Sequence, residues 1–206
     1  MTRARFYLPG IVYTKVLDVP LRGIRRSVCQ IVLRNDLYPL LDLCSGPGTQ
    51  TGLLRRQGKP VLGLDINLKM LKYAACSHPG VPFLCADAAQ VPLFPGTFRG
   101  IVVSFALHEK EPALRVSLLK EAMSVLAPGG GIVIVDFERP WDTASRIAYL
   151  YVSAIELLAG RRHFRNGRDF LRRGGLRALL KEIGLREVER RNIAAGTCAI
   201  VLAVPG

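Results

Sequence analysis

Leu40-Leu41-Asp42-Leu43-Cys44-Ser45-Gly46-Pro47-Gly48-Thr49-Gln50-Thr51 reads as an apolar strand, a bend of small residues and the start of a helix. A strand buried on both faces needs an unbroken apolar run, and Tyr38 to Leu43 supplies one around Asp42. Gly46 and Gly48 permit a tight turn and a close approach of backbone to ligand, where a Cβ would intrude. The helix opening near Thr49 turns its free N–H groups and positive end toward the same space. The stretch is built to hold a nucleoside-like ligand.

Further apolar runs follow, most of them closed by an acid. Val61-Leu62-Gly63-Leu64-Asp65 places a carboxylate 17 positions after Gly48, where it can accept both hydroxyls of a ribose. Val81 to Ala88 is a third run, ending at Asp87, and Phe98 to His108 a fourth. Leu126-Ala127-Pro128-Gly129-Gly130-Gly131 then turns into a fifth, Ile132 to Asp136. A dinucleotide site would want G-x-G-x-x-G, and Gly46-x-Gly48-x-x-Thr51 lacks the third glycine, although Gly52 sits one place later.

In order and spacing these segments resemble the motifs of class I S-adenosylmethionine-dependent methyltransferases, across roughly residues 38 to 138. Asp42, Cys44, Gly46 and Gly48 match the family's D/E-x-G-x-G-x-G, with Cys44 in place of the first glycine, as in its quinone-biosynthesis members. Arg99 stands where the family usually has Asp. The resemblance is to the branch grouped with ubiquinone/menaquinone biosynthesis C-methyltransferases. It implies an α/β Rossmann-like fold, with a seven-stranded, mostly parallel sheet of order 3-2-1-4-5-7-6 and helices on both faces. It also implies a cofactor site made of Tyr13, Asp42, Leu43, Cys44, Gly46, Gly48, Asp65, Ile66, Met70, Asp87, Ala88, Ser104 and Phe105, with Asp87 beside the adenine amino group.

Length and composition agree with a single domain: 206 residues, half of them apolar, without repeats. Within it we expect an N-terminal helical flank (1–36), a cofactor-binding core (37–140), a helical substrate lid (141–184) and a C-terminal β-hairpin (185–206). Helices are expected at 21–33, 49–57, 67–76, 111–126, 143–159 and 176–183. No apolar run approaches the ~18 residues of a membrane span, and a secretion signal is not expected. The five cysteines lack metal-ligand spacing, which fits reduced thiols and a cytoplasmic protein; no metal is expected.

Charge is unevenly placed. Residues 1–36 carry a net +5 and 161–191 a net +7, whereas 38–160 carry only +1. Such flanks are a solvated surface, an attractor for an acidic substrate or anionic membrane face, or a track for nucleic-acid phosphates. No aromatic-interleaved basic stripe or RNA-binding module is present, which disfavours nucleic acid.

Methyl transfer is displacement at a sulfonium methyl, so alignment and exclusion of water dominate, and a base is needed only for a protonated nucleophile. His108, just past the fourth strand, is the candidate base; a gate or hydrogen-bonding wall is the other reading. Glu109 reads as a helix-start or lid residue, and Glu138 as a substrate-orienting group or a loop carboxylate paired with Arg139. His163 reads as a lid residue or part of a solvated basic loop, and Trp141 as pocket lining or a loop anchor. The reading is methyl transfer to a small molecule such as a quinone precursor. RNA methylation, or a cofactor-binding domain without catalysis that works through partners, are its alternatives. The sequence leaves the oligomeric state open.

Overall fold

The computed structural model describes residues 8–206, with side chains placed for 21–150, 153, 157 and 160–206. Seven strands form one sheet: β1 (Leu40–Leu43), β2 (Val61–Asp65), β3 (Phe83–Cys85), β4 (Phe98–Ser104), β5 (Leu126–Phe137), β6 (Leu185–Ile193) and β7 (Cys198–Pro205). Their order is 3-2-1-4-5-7-6. The first five run parallel, and β7 lies antiparallel to both β5 and β6. The expected sheet and hairpin are both present.

Strand periodicity explains the two-sided core. Leu40, Val102, Val133 and Val135 point to one face, where they meet Val28, Ile31 and Val32 of α1 (Leu8–Arg34) and Leu54 of α2 (Thr49–Arg55). Leu41, Leu43, Ile101, Val103, Ile132 and Ile134 point to the other. There they pack with α4 (Pro112–Val125), α6 (Arg161–Arg172) and α7 (Gly175–Glu182). Each such side chain, fully buried, contributes about 1.5–3 kcal/mol, which is why the central strands are uninterrupted Leu, Ile and Val.

The remaining helices are α3 (Leu68–Ser77) and α5 (Thr143–Ala159). Asn67 caps α3 by accepting from the backbone N–H of Lys69 and Met70, at 3.1 and 3.3 Å. Asp142 and Ser145 form a reciprocal capping box at the start of α5. One segment departs from expectation: helix α1 continues back through Pro20 to Leu8, past a residue that ordinarily ends helical runs. Residues 161–172, within the stretch expected to be a helical lid, form α6, whose inner face buries Asn166, Gly167, Phe170 and Leu171.

Strand order reverses between β1 and β4, so the crossovers leave in opposite directions and open a crevice at the strands' C-terminal ends. The candidate active site sits there.

Candidate active site

A cavity of about 780 Å³ occupies this crevice, in the size range of small-molecule sites. Of the residues expected to hold a cofactor, Cys44, Gly46, Asp65, Ile66 and Met70 line it, as do Asp87, Ala88, Ser104 and Phe105. His108 lines it as well. Tyr13 lies on α1 in the stretch whose side chains are outside the described residues.

Backbone donors fix the Asp65 and Asp87 carboxylates. Asp65 accepts from Gly46 N–H at 2.8 Å through one oxygen and from Asn67 N–H at 2.8 Å through the other. Asp87 accepts from Ala89 N–H at 2.9 Å. Each oxygen keeps a further lone pair for a ligand hydroxyl or amino group.

The two glycines of the bend divide their work. Gly46 has φ +53, and a Cβ there would meet nothing within 4 Å. Gly48, at φ +76, does not line the cavity; a Cβ would stand 2.8 Å from both Ala74 Cβ and the Phe83 ring. Gly46 therefore keeps the ligand space open, and Gly48 lets α2 close against its neighbours. Gly52, the residue one place late for a dinucleotide pattern, packs on the His78 ring. Cys44 itself has φ +62, which explains the family's preference for glycine at that position. Burial pushes its thiol up to about 12, so it is a neutral wall.

Asp42 and Leu43 lie deeper. Leu43 is core, and Asp42 accepts from the Thr51 hydroxyl at 2.5 Å. Burial pushes the Asp42 carboxyl up to about 7, against the Thr51 hydrogen bond; Asp65 adds to the rise and Arg25 opposes it. Asp42 borders a smaller cavity of about 140 Å³, whose walls include Arg25, Ser45, Gln50 and Ser104. The Ser45 and Ser104 hydroxyls and the Gln50 carbonyl are buried with no hydrogen-bond partner, so this space holds unsatisfied polar atoms that a ligand could pair. Arg25 of α1 lines both cavities.

The other side of the crevice is built from side chains. Asp136, fully buried at the end of β5, accepts from Leu107 and Phe137 N–H at 2.8 and 2.7 Å, and from His108 N–H at 3.3 Å. It also holds His108 Nδ1 at 2.7 Å. An ionised carboxylate only accepts, so Nδ1 carries the proton and Nε2 is left with its lone pair. His163 Nε2 lies 3.2 Å from that nitrogen, and His163 Nδ1 lies 3.4 Å from Glu109 Oε2. Arg115, buried on α4, clamps α6 to this loop by donating to Leu107 O, Asn166 O and Asp169 Oδ2. Asn166 Nδ2 donates to Glu109 O at 2.7 Å. Neither Asp136 nor Arg115 carries a local sequence signal, because their partners are far away in the chain.

Two candidates fall elsewhere. Glu138 accepts from Arg190 at 2.5 Å and ties β5 to the hairpin instead of entering the cavity. Trp141 is exposed and lines neither cavity. Among the described residues no cluster of three or more metal-ligating side chains occurs.

Residues 40–130 match the family model described as a methyltransferase domain. A demethylmenaquinone methyltransferase of Streptomyces griseus is 31% identical over 190 residues, covering 85% of this chain and 80% of that protein. The chain belongs to the class I S-adenosylmethionine-dependent methyltransferases. A second relative of this methyltransferase, the demethylmenaquinone methyltransferase of Beutenbergia cavernae, is 29% identical, covering 78% of this chain and 71% of its own. The fold matches that of the PH0226 protein from Pyrococcus horikoshii, at TM-score 0.66 and 18% identity over 90% of this chain and 91% of that one. It also matches the 1,6-didemethyltoxoflavin-N1-methyltransferase of Burkholderia thailandensis, at TM-score 0.60 and 16% identity over 98% and 91%. The methyltransferase's residues fit S-adenosylmethionine: carboxylates for a ribose and an adenine amino group, an open glycine, and orphaned hydroxyls beside Arg25.

Proposed function

We propose that this methyltransferase methylates a small, hydrophobic or anionic acceptor such as a quinone precursor in the cytoplasm, with His108 taking the acceptor's proton. The observation that carries the assignment is the Asp136–His108 pair facing the cofactor crevice.

Bound S-adenosylmethionine would supply a sulfonium methyl whose bond electrons leave with sulfur. In the proposal Asp65 and Asp87 take the ribose hydroxyls and the adenine amino group, and Ile66 and Met70 flank the base. The small cavity takes the amino-acid end, with Arg25 toward its carboxylate and the Ser45 and Ser104 hydroxyls as added partners. Phe105, Phe137 and Leu118 wall the acceptor side and keep water out. His108 Nε2 accepts the acceptor's proton once His163, which lies 3.2 Å from it, gives way, and Asp136 stabilises the imidazolium that results. His163 on α6 closes the far side of the acceptor space, as expected of a lid. The relatives named demethylmenaquinone methyltransferases support an acceptor of that kind.

Calorimetric titration with S-adenosylmethionine tests the cofactor site: Asp65→Ala should weaken binding by about tenfold to a hundredfold, the loss of one or two hydrogen bonds to a charged group. Labelled-methyl transfer to a panel of quinols and other small phenols tests the rest. His108→Ala should lower turnover about 10²–10⁴-fold with cofactor binding kept. Unchanged turnover would remove His108 as the base, and transfer to RNA alone would overturn the small-molecule reading.

A further inference from the structure

We propose that the outer faces of α5 and α6 form one docking surface for an anionic lipid bilayer. On α5, Ile147, Leu150 and Leu157 share one side at helical spacing, and all three face solvent, with exposures of 54%, 69% and 56%. Trp141, just before the helix, is 69% exposed. Isolated exposed apolar residues are ordinary, but four large ones on one short segment are a patch that wants a partner.

Helix α6 follows after Gly160 and packs against α5. Its buried side carries Asn166 and Phe170. Its outer side carries Arg161, Arg165, Arg168 and Arg172, spaced by four, three and four residues, so all four fall within one narrow arc and all are exposed. Exposed Arg146 stands beside the apolar side of α5.

Exposed apolar side chains on α5 and just before it, with an exposed arginine row on the helix packed against α5, match the two requirements of an interfacial surface: apolar insertion and attraction to acidic headgroups. A polyanion such as RNA would engage the arginines, yet leave Trp141, Ile147, Leu150 and Leu157 in water. The charge and the apolar side together therefore favour lipid. No described helix is long and apolar enough to cross a membrane, so the contact is peripheral. The surface lies on the elements that also deliver His163 to the crevice, which brings the acceptor space near the bilayer.

Trp141 is the only tryptophan, so its fluorescence reports this surface directly. With vesicles of phosphatidylglycerol and phosphatidylcholine, the full chain should cosediment and its emission should shift to the blue. Phosphatidylcholine alone should give little of either, and raised salt should reverse the binding. Arg165→Ala and Arg168→Ala should each lower partitioning roughly fivefold, and Ile147→Ser with Leu150→Ser about tenfold. Calorimetric cofactor binding should stay unchanged in all of these variants, separating this surface from the crevice. No partitioning, partitioning indifferent to the substitutions, or a dimer in sedimentation that Leu150→Ser dissociates would overturn the proposal. So would retention on RNA that the arginine variants lose and the serine variants keep, without vesicle binding.

Discussion

The two sides of the crevice are held by different kinds of contact. Over β1 to β3, side-chain oxygens rest on backbone N–H groups, mostly of their own loops: Asp65 on Asn67 and on Gly46 of the neighbouring bend, Asp87 on Ala89, and the Asn67 amide on Lys69 and Met70. Over β4 and β5, side chains meet across long stretches of sequence: His108 with Asp136, His108 with His163, Arg115 with Asp169 and Asn166 with Glu109. The first side is a set of rigid local turns. The second exists only once the strands and α6 have come together, so it should fail as a unit.

Asp136→Ala is the sharpest way to break that contrast. It strips an acceptor from three backbone N–H groups and from His108 at once, in a fully buried position. Buried donors left unpaired cost about 1–3 kcal/mol each, so the loss should be on the order of 5 kcal/mol. Chemical denaturation should register it. Methyl transfer should be lost with it, while whatever stays folded should still bind cofactor through Asp65. A variant that kept its stability but lost cofactor binding would mean that the two sides are not separate.

This difference also determines what was readable. The strand ends, the glycine bend and the acids at Asp65 and Asp87 are local patterns with fixed spacing, and ten expected residues do line one cavity. The sheet order followed from the family resemblance that these motifs carry. Asp136 closed an apolar run in the sequence without any mark of its role, because its partner His108 lies 28 residues earlier. Arg115 carries no sequence mark either; packing against Leu107, Asn166 and Asp169 buries it. Arg161 to Asn166 was ambiguous between lid and loop because most of its charges face solvent, whereas the helix is fixed by the side that carries Asn166 and Phe170.

The local side holds one group that pH can probe. The buried Asp42 carboxyl has its proton affinity raised by burial to about 7. The folded state therefore holds this proton between about pH 4 and 7, where the unfolded chain releases it. Its contribution to stability is full below the unfolded value, falls as pH rises through that window, and is flat above it. The decline should amount to at most roughly 4 kcal/mol. Denaturant midpoints measured across the window should fall with pH in the parent and fall less in Asp42→Asn. Identical slopes would show that Asp42 is ionised in the fold, with Arg25 and Thr51 compensating its burial.

Cys44→Gly should give the smallest effect and sharpen the account of the bend. Cys44 adopts φ +62, a conformation that costs an ordinary residue about 1–2 kcal/mol and glycine almost nothing. Against that relief stand the greater freedom of glycine in the unfolded chain and the loss of the apolar contact that Cys44 makes with the core. These terms oppose one another at similar size, so stability should change by less than about 1 kcal/mol. Cofactor affinity should change little, because the neutral thiol is a wall and Gly46 and Asp65 keep their hydrogen bond. A melting curve and one titration decide it. If stability instead falls by several kcal/mol, the side chain at position 44 is part of what fixes the bend, and backbone geometry alone does not explain the family's glycine there.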